Sequence, residues 1–600
     1  MITFKIYNKV IGLALVALTF MACSDTWDDH YDKRGEGMND ATLWQAIKQN
    51  GNLSNFAKVV QACGYDKALN SSQVFTVFAP TNDQFSAQEA DELIVAYNAE
   101  KGKVTEDDNT VIKEFIQNHL AMYNHSISDL SNDSLLLMNG KNITLSASSF
   151  GNNTILSKNE HYSNGILFTI QGRAQYFPTV FEYLRKDADL DSIANFFYNS
   201  RFYRKEFVPG RSVAGGLENG KTVYLDSVFV QQNDLWDYLW AYTNEEDSTY
   251  WMVVPTNQEW KKLIEEYEPY FNYDDKTQFR DSLVYTMPRM AIVDGTTFSR
   301  TLNTDAHLTD SALSTSAAET FMSREYMWGN KNLHYYQFGS KPATNTQKPF
   351  SATGIFTGTD NIDCSNGQVM KSNDWKINKL NTFYQWIIIE AENERNIKKV
   401  SEVQSGTEQE PTIRLMSRMV QNNNSFYGKV WSNEYAEFRE LKTTVNHTVT
   451  FNIRNVLSNI GYDIYLVTAP ALAYDENATE ADRIPNKFSC SINYHLQDGQ
   501  SETKQLQSSV LTTPDEVNYI LLAEDFKFPT ATYGLTESDP QVTLDVTTKV
   551  SSSELRTKKF TRTLRIDCIM LVPHGISNVN EERFEIAPHG DGDVFQWLKK

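Results

Sequence analysis

Positive charge is scarce in this chain: 55 Lys and Arg stand against 76 Asp and Glu, a formal charge of −21. That balance argues against nucleic acid as a partner, because phosphate contacts draw on clustered Lys and Arg. Cysteine is scarce as well. The 600 residues hold five, with no CxxC pair and no zinc-ligand spacing. The HExxH of zinc proteases and the GxSxG nucleophile elbow are both missing, and the ten histidines are scattered. Asp591-Gly592-Asp593 is too short for a calcium loop. A glycosidase needs only two carboxyl groups brought together in space, and among 76 acids no pair stands out. The residues therefore point to no catalytic set, no metal and no cofactor.

One phosphate-loop match is present, Gly215-Gly216-Leu217-Glu218-Asn219-Gly220-Lys221-Thr222. A working loop needs a helix after it, whose N-terminus faces the phosphates. Here Val223 to Val230 reads as a strand, and Glu218 would repel phosphate. The stretch is expected to be a hairpin turn.

Long apolar runs are also lacking. Ile11 to Phe20 is ten residues, half of the roughly 20 that a bilayer span requires. It follows Lys5 and Lys9 and precedes Ala22-Cys23, so residues 1–22 read as an export signal with Cys23 as the lipidated residue. Phe20 and Met21 are bulkier than such a cleavage site prefers. Two or three acyl chains on Cys23 would anchor it firmly, each buried CH₂ contributing about 0.8 kcal/mol. Removing the signal leaves −23. Residues 23–39, opening Ser24-Asp25-Thr26-Trp27-Asp28-Asp29, form an acidic tether. It resembles the signal that sends lipoproteins to the outer face of the outer membrane in certain Gram-negative bacteria. The implied location is the outer membrane, facing the cell exterior.

Leu43, Ile47, Phe56, Val59 and Val60 recur at helical spacing, interrupted at Gly51 and stopped at Gly64. Val74 to Ala79 reads as a buried strand ended by Pro80, a helix is expected over Val111 to Met122, and short strands follow at 135–138, 143–145 and 166–170. Three of these stretches carry a family pattern. Phe75-Thr76-Val77-Phe78-Ala79-Pro80-Thr81-Asn82 resembles the first signature of fasciclin domains. Ile116-Gln117-Asn118-His119-Leu120, with Tyr123 and His125, is similar to the second, and Asn164-Gly165-Ile166-Leu167-Phe168-Thr169-Ile170 to the closing strand. Thr81 or Asn82 is expected to cap the next short helix, and Tyr123 with His125 to form a buried hydrogen-bonded pair. These motifs place a fasciclin-like domain over 40–177.

The pattern returns in weaker form. Trp251-Met252-Val253-Val254-Pro255-Thr256-Asn257 mirrors the first signature and Asn366-Gly367-Gln368-Val369-Met370 the closing strand. Pro80 and Pro255 are 175 positions apart, Gly165 and Gly367 202 apart, so some 27 extra residues belong inside the second copy. The Ser- and Thr-rich stretch near 301–350 is the expected place. This copy, 178–380, lacks the Tyr-x-His signature and resembles a divergent fasciclin domain.

From Thr382 onward short strands alternate with turns, at 449–453, 462–467, 488–496, 542–546 and 564–573, the pattern of a jelly-roll-like all-β sandwich over 381–600. Its ends, Ile389-Glu390-Ala391-Glu392 and Arg565-Ile566-Asp567-Cys568-Ile569, resemble galactose-binding-type carbohydrate modules. A disulfide between Cys490 and Cys568 is one arrangement an oxidising compartment would permit, and sequence leaves it open. Sugars stack on aromatic rings beside polar donors, which makes Tyr427 and Trp431, within Asn422 to Asn433, the candidate ligand residues; the competing reading places Trp431 in the core.

The resemblances together imply fasciclin-like α+β domains, then a β-sandwich, and a surface lipoprotein rather than an enzyme. The implied role is a glycan-binding or accessory subunit beside a TonB-dependent transporter and its lipoprotein lid, with a polysaccharide or oligosaccharide as ligand. The alternative is an adhesion or structural protein that uses its fasciclin domains for cell or matrix contacts.

Overall fold

Strand β1 (Phe75–Pro80) and strand β2 (Gly165–Ile170) are buried at all six positions each. They pair in parallel, from Phe75 opposite Gly165 to Pro80 opposite Ile170. Continuous apolar runs suit a parallel pair covered on both faces, and here each face carries its own core. Leu43, Phe56, Val60 and Phe115 fill the helical side. Phe78 stacks between Phe150 and Phe168 on the other, with ring centroids 3.9 and 4.9 Å apart. The computed structural model describes residues 40–575, apart from short gaps, nearly all of 300–353 and much of 403–424. The export signal and the tether lie outside the described residues, as does almost all of the 301–350 stretch.

The chain divides into two compact units, Met1–Phe177 and Pro178–Lys600. The first has a seven-stranded sheet. Its order is 120–122, β1, β2, 153–162, 149–150, 142–146, 132–136. Helix α1 (Leu43–Gln49) starts on a reciprocal cap between Thr42 and Gln45. Two expectations change here. The helix expected over 111–122 is a π turn over Ile112–Ile116 and a 3₁₀ turn over Gln117–His119, and Leu120–Met122 is already a strand pairing with β1. Asn82 does not cap the helix that follows it: its Oδ1 accepts from the Asn55 N–H, at the start of the earlier helix Ser54–Ala62. The following helix, Ala87–Glu100, has its own Ser86–Glu89 cap. Only Ala90 and Tyr97 of that helix are buried, so its apolar periodicity is faint in the sequence.

The second unit repeats this frame. Strands β3 (Tyr250–Pro255) and β4 (Gly367–Ser372) are again parallel and in the same register, Tyr250 opposite Gly367 and Pro255 opposite Ser372. In the first unit Asn164 Oδ1 accepts from the Leu43 N–H that opens α1, and its Nδ2 donates to the carbonyls of Leu69 and Ser71. In the second unit Asn366 Oδ1 accepts from Val180, which opens helix α2 (Val180–Tyr183), and its Nδ2 donates to Thr243 and Glu245. Asn257 likewise takes the place of Asn82, accepting from Ser192 and donating to Ala188. The glycine after each hub asparagine is required. A Cβ on Gly165 would lie 2.0 Å from the Phe75 carbonyl oxygen, and one on Gly367 1.8 Å from that of Tyr250. The phosphate-loop match is the expected hairpin, Val213–Glu218 against Lys221–Asp226.

Two antiparallel sheets form the C-terminal sandwich. Strands β5 (Ile387–Glu390), β7 (Ala436–Phe438), β9 (Gly461–Thr468), β12 (Asn518–Lys527) and β14 (Leu564–Pro573) belong to one, with Ile413–Leu415 beyond β7. β14 is central, pairing with β9 on one side and with β5 and β7 on the other. The second sheet runs Glu408–Gln409, β6 (Ile397–Glu402), β8 (His447–Ile453), β13 (Val542–Thr548), β10 (Lys487–His495), β11 (Ser501–Leu511). Cys490 and Cys568 sit in different sheets and both are free thiols. The change of architecture near 380 is not a gap between units: one apolar core runs from the second copy into the sandwich. Tyr273 Oη donates to the Tyr533 carbonyl at 2.8 Å in that interior, and Asn272 bonds Ser458, Gln497 and Pro529.

Candidate functional site

Strand alternation gives the first sandwich sheet two faces, and both are apolar. Ile464, Leu466, Ile569 and Leu571 point into the core between the sheets. Tyr465, Val467, Cys568, Met570 and Val572 point the other way and need a second cover. Trp431 supplies it. The residue opens a 3₁₀ turn, Trp431–Asn433, is 5% exposed and packs within that outer cluster, with Trp386 and Tyr519 beside it. Tyr519 Oη donates to the Lys429 carbonyl at 2.6 Å, tying the covering segment down. Trp431 is thus a core ring and not a solvent-facing stacking platform, while Tyr427 lies outside the described residues.

Beneath Trp431 sits a buried acid. Asp567 Oδ2 accepts from the Trp431 backbone N–H at 3.0 Å, and Asp567 Oδ1 and Glu392 Oε2 are buried without a hydrogen-bond partner. Burial raises both: Glu392 to about 8, with Glu390 and Glu434 adding repulsion, and Asp567 well above the usual carboxylate range. Burial thus favours the neutral form of both acids over the charged one. Among the described residues, no group of three or more His, Cys, Asp or Glu side chains could hold a metal ion.

The outer face of the second sheet is polar and satisfied within itself. Thr448 bonds Thr547, Thr450 bonds Asp545, and Asn493 Nδ2 reaches Thr543 and Asp545. The opening on the sandwich is at its edge, where β11 and β12 end their two sheets. A groove of about 430 Å³ there is bordered by Lys504, Gln505, Glu524, Asp525 and Lys527 over a floor of Tyr494 and Phe526. No sequence signal marks it, since its residues alternate as in any exposed edge strand.

In the first unit, His119 is fully buried. Its Nδ1–H donates to the Phe115 carbonyl at 2.7 Å, and its Nε2 accepts from Ala174 at 2.9 Å. Burial pushes its pKa down to about 4, so it is a neutral structural bridge. His125 is half-buried and bonds the Met122 carbonyl and Thr76. Tyr123, expected to be buried beside it, is 71% exposed at φ 67°. The Thr76 hydroxyl donates to the Tyr123 backbone carbonyl, so that residue is fixed by its main chain and its ring faces outward.

The parallel pair β1–β2 and the side chains of Asn164 and His119 all lie within one matched segment. Residues 51–172 match the fasciclin domain. No curated protein sequence matches the chain. Among solved structures, a FAS1 domain pair from the insect cell adhesion molecule Fasciclin I is similar over 56% of this chain and 99% of its own, at 12% identity and a TM-score of 0.19. A xylan-binding domain of family CBM 22 is similar over 32% of this chain and 96% of its own, at 10% identity and a TM-score of 0.18. The C-terminal family 22 carbohydrate-binding module of Clostridium thermocellum Xyn10B covers 32% and 95%, at 10% and 0.18. Overlaps at such scores carry no ligand with them. The fold itself is that of a fasciclin domain, a second copy on the same hydrogen-bond frame, and an antiparallel β-sandwich.

Proposed function

We propose that the protein is a cell-surface lipoprotein, anchored through Cys23, whose work is binding rather than catalysis: a glycan-binding or accessory subunit of a TonB-dependent uptake complex. The observation that carries the reading is the order of parts. An export signal with a terminal cysteine and an acidic tether precedes a fasciclin domain, and a sandwich with module-like end motifs stands at the far end. A transporter, its lipoprotein lid and an oligosaccharide are the expected partners. Adhesion through the fasciclin copies is the second reading, favoured by the outward Tyr123 ring.

Cys23→Ala should move the protein from the membrane to the soluble fraction and abolish acyl labelling. A mutant that stays in the membrane pellet removes the anchor from the proposal. Protease added to whole cells should digest the wild type. Protection until lysis would place it on the periplasmic side. Binding of the purified chain to a glycan array decides between the two readings, since an adhesion protein without glycan affinity gives a blank array.

A further inference from the structure

Phe279 is in an uncommon position for an aromatic residue. It precedes helix α3 (Arg280–Val293), its φ is +58°, and 73% of it is exposed. Left-handed backbone is strained for a bulky side chain, and strain of this kind persists where the surroundings or a function hold it. Here the ring gains no burial in return. A glycine would take the same backbone without strain.

Around this ring is an open cavity of about 510 Å³, lined by Asp275, Phe279, Arg280, Asp281 and Ser282. That volume lies in the range of small-molecule sites, roughly 300–1,000 Å³. Its polar groups are held in place by bonds behind them. Arg280 Nε donates to the Tyr273 carbonyl at 2.9 Å and lies 3.6 Å from Asp275, while Arg280 Nη1 is 3.8 Å from Asp281. Gln497 Nε2, from the β10–β11 hairpin, donates to Asp275 Oδ1 at 2.8 Å. Arg201 Nη1 donates to Ser282 Oγ at 3.0 Å. The cavity thus lies on the second fasciclin copy, where the β10–β11 hairpin of the sandwich bonds to it, inside one compact unit.

We infer that this cavity binds a neutral sugar, with Phe279 as the stacking platform. A pyranose ring offers an apolar C–H face to the aromatic ring and hydroxyls at its rim. The carboxylates of Asp275 and Asp281 accept from those hydroxyls, and the guanidinium of Arg280 donates to them. The carboxylates of Asp275 and Asp281 balance the guanidiniums of Arg280 and Arg201, so the cavity offers no excess positive charge to hold a phosphate or a uronate. The inference rests on the glycan-binding reading and moves the contact away from the Asn422–Asn433 segment, where Trp431 is buried.

The test uses the purified full chain against immobilised neutral oligosaccharides of the xylan, mannan, cellulose and α-glucan series. Wild type should bind at least one series. Phe279→Gly should weaken that binding about tenfold while the melting temperature stays level or rises, because the strain is relieved. Asp281→Asn, an isosteric change at a fully exposed side chain, should weaken it several-fold. Equal binding by wild type and both variants overturns this site and leaves the glycan-binding reading in place. A wild type that binds no series overturns both. If Phe279→Gly melts earlier, the Asp281→Asn result decides alone.

Discussion

The two fasciclin copies share a hydrogen-bond frame and little of their sequence. Both keep Asn-Gly at the head of the closing strand, Pro-Thr-Asn at the end of its parallel partner, and the six-residue register between them. The first copy has His119 bridging Phe115 and Ala174; no counterpart of that signature is found in the second. The difference separates two kinds of constraint. The asparagine hub ties three chain segments with one side chain, so nothing else of that size replaces it. The second signature seals one edge of a domain that stands as its own unit. The second copy has the sandwich against it, and the 272–273 segment bonds into that neighbour.

If the hubs are equivalent, their removal should cost the same. Asn164→Ala and Asn366→Ala each strand one buried N–H and two carbonyls, at roughly 1–3 kcal/mol per group. Each is expected to destabilise its own region by about 3–6 kcal/mol, read as lost amide protection in hydrogen exchange across β1–β2 or β3–β4. A cost under about 1 kcal/mol for Asn366→Ala would show that the second copy only looks like the first.

The frame was legible in the sequence because it depends on residue types that have no substitute: Asn for its paired donor and acceptor, Gly where a Cβ would meet a carbonyl at under 2.1 Å. The strands were legible for their unbroken apolar runs, and β14 falls on the residues expected, Leu564–Pro573. What misled was local pattern read without its neighbour. Asn and Ser around Trp431 look like a loop, but the apolar back of β9 and β14 draws that indole inward. Leu120–Met122 continues a helical spacing, yet β1 lies open beside it and takes it as a strand. Phe279 gave no signal, because an exposed aromatic near a helix start has no periodicity to read.

Trp431→Ala sharpens the contrast between a domain that stands alone and one fused to its neighbour. Loss of a buried indole costs about 3–5 kcal/mol. Because one core joins the sandwich to the second copy, the melting of β3–β4 should fall together with that of the sandwich. A mutant in which the sandwich melts early while β3–β4 keeps its amide protection would mean that the two are separate domains after all.

The two units also differ in how pH should act on them. Folded Glu392 holds its proton more tightly than the unfolded chain does. Its contribution is whole below pH 4.5 and is lost as pH rises through about 8, with Asp567 acting in the same direction. A loss of a few kcal/mol is expected in the second unit as pH rises from about 4.5 through 8, and Glu392→Gln should flatten it. His119 acts in the opposite sense. Its contribution is present above pH 6.5 and lost as pH falls through about 4. His447 adds an acid limb of the same sign to the second unit. Amide exchange followed from pH 4 to 9 checks both limbs, and an alkaline loss that survives Glu392→Gln would assign it elsewhere.

The smallest effect concerns Tyr123, whose signature the second copy does without. Its φ of 67° places a bulky side chain in left-handed backbone, and its ring is 71% exposed. Strain of this kind costs on the order of 1–3 kcal/mol. Glycine relieves it but gives back roughly 0.5–1 kcal/mol through the greater freedom of the unfolded chain. The carbonyl bond from Thr76 uses the main chain and survives the change. Tyr123→Gly should therefore leave the first unit stabler by about 0.5–1 kcal/mol, a rise of a few degrees in its melting. A loss of stability instead would mean that the ring packs against something, and that the first copy depends on its second signature for more than sealing an edge.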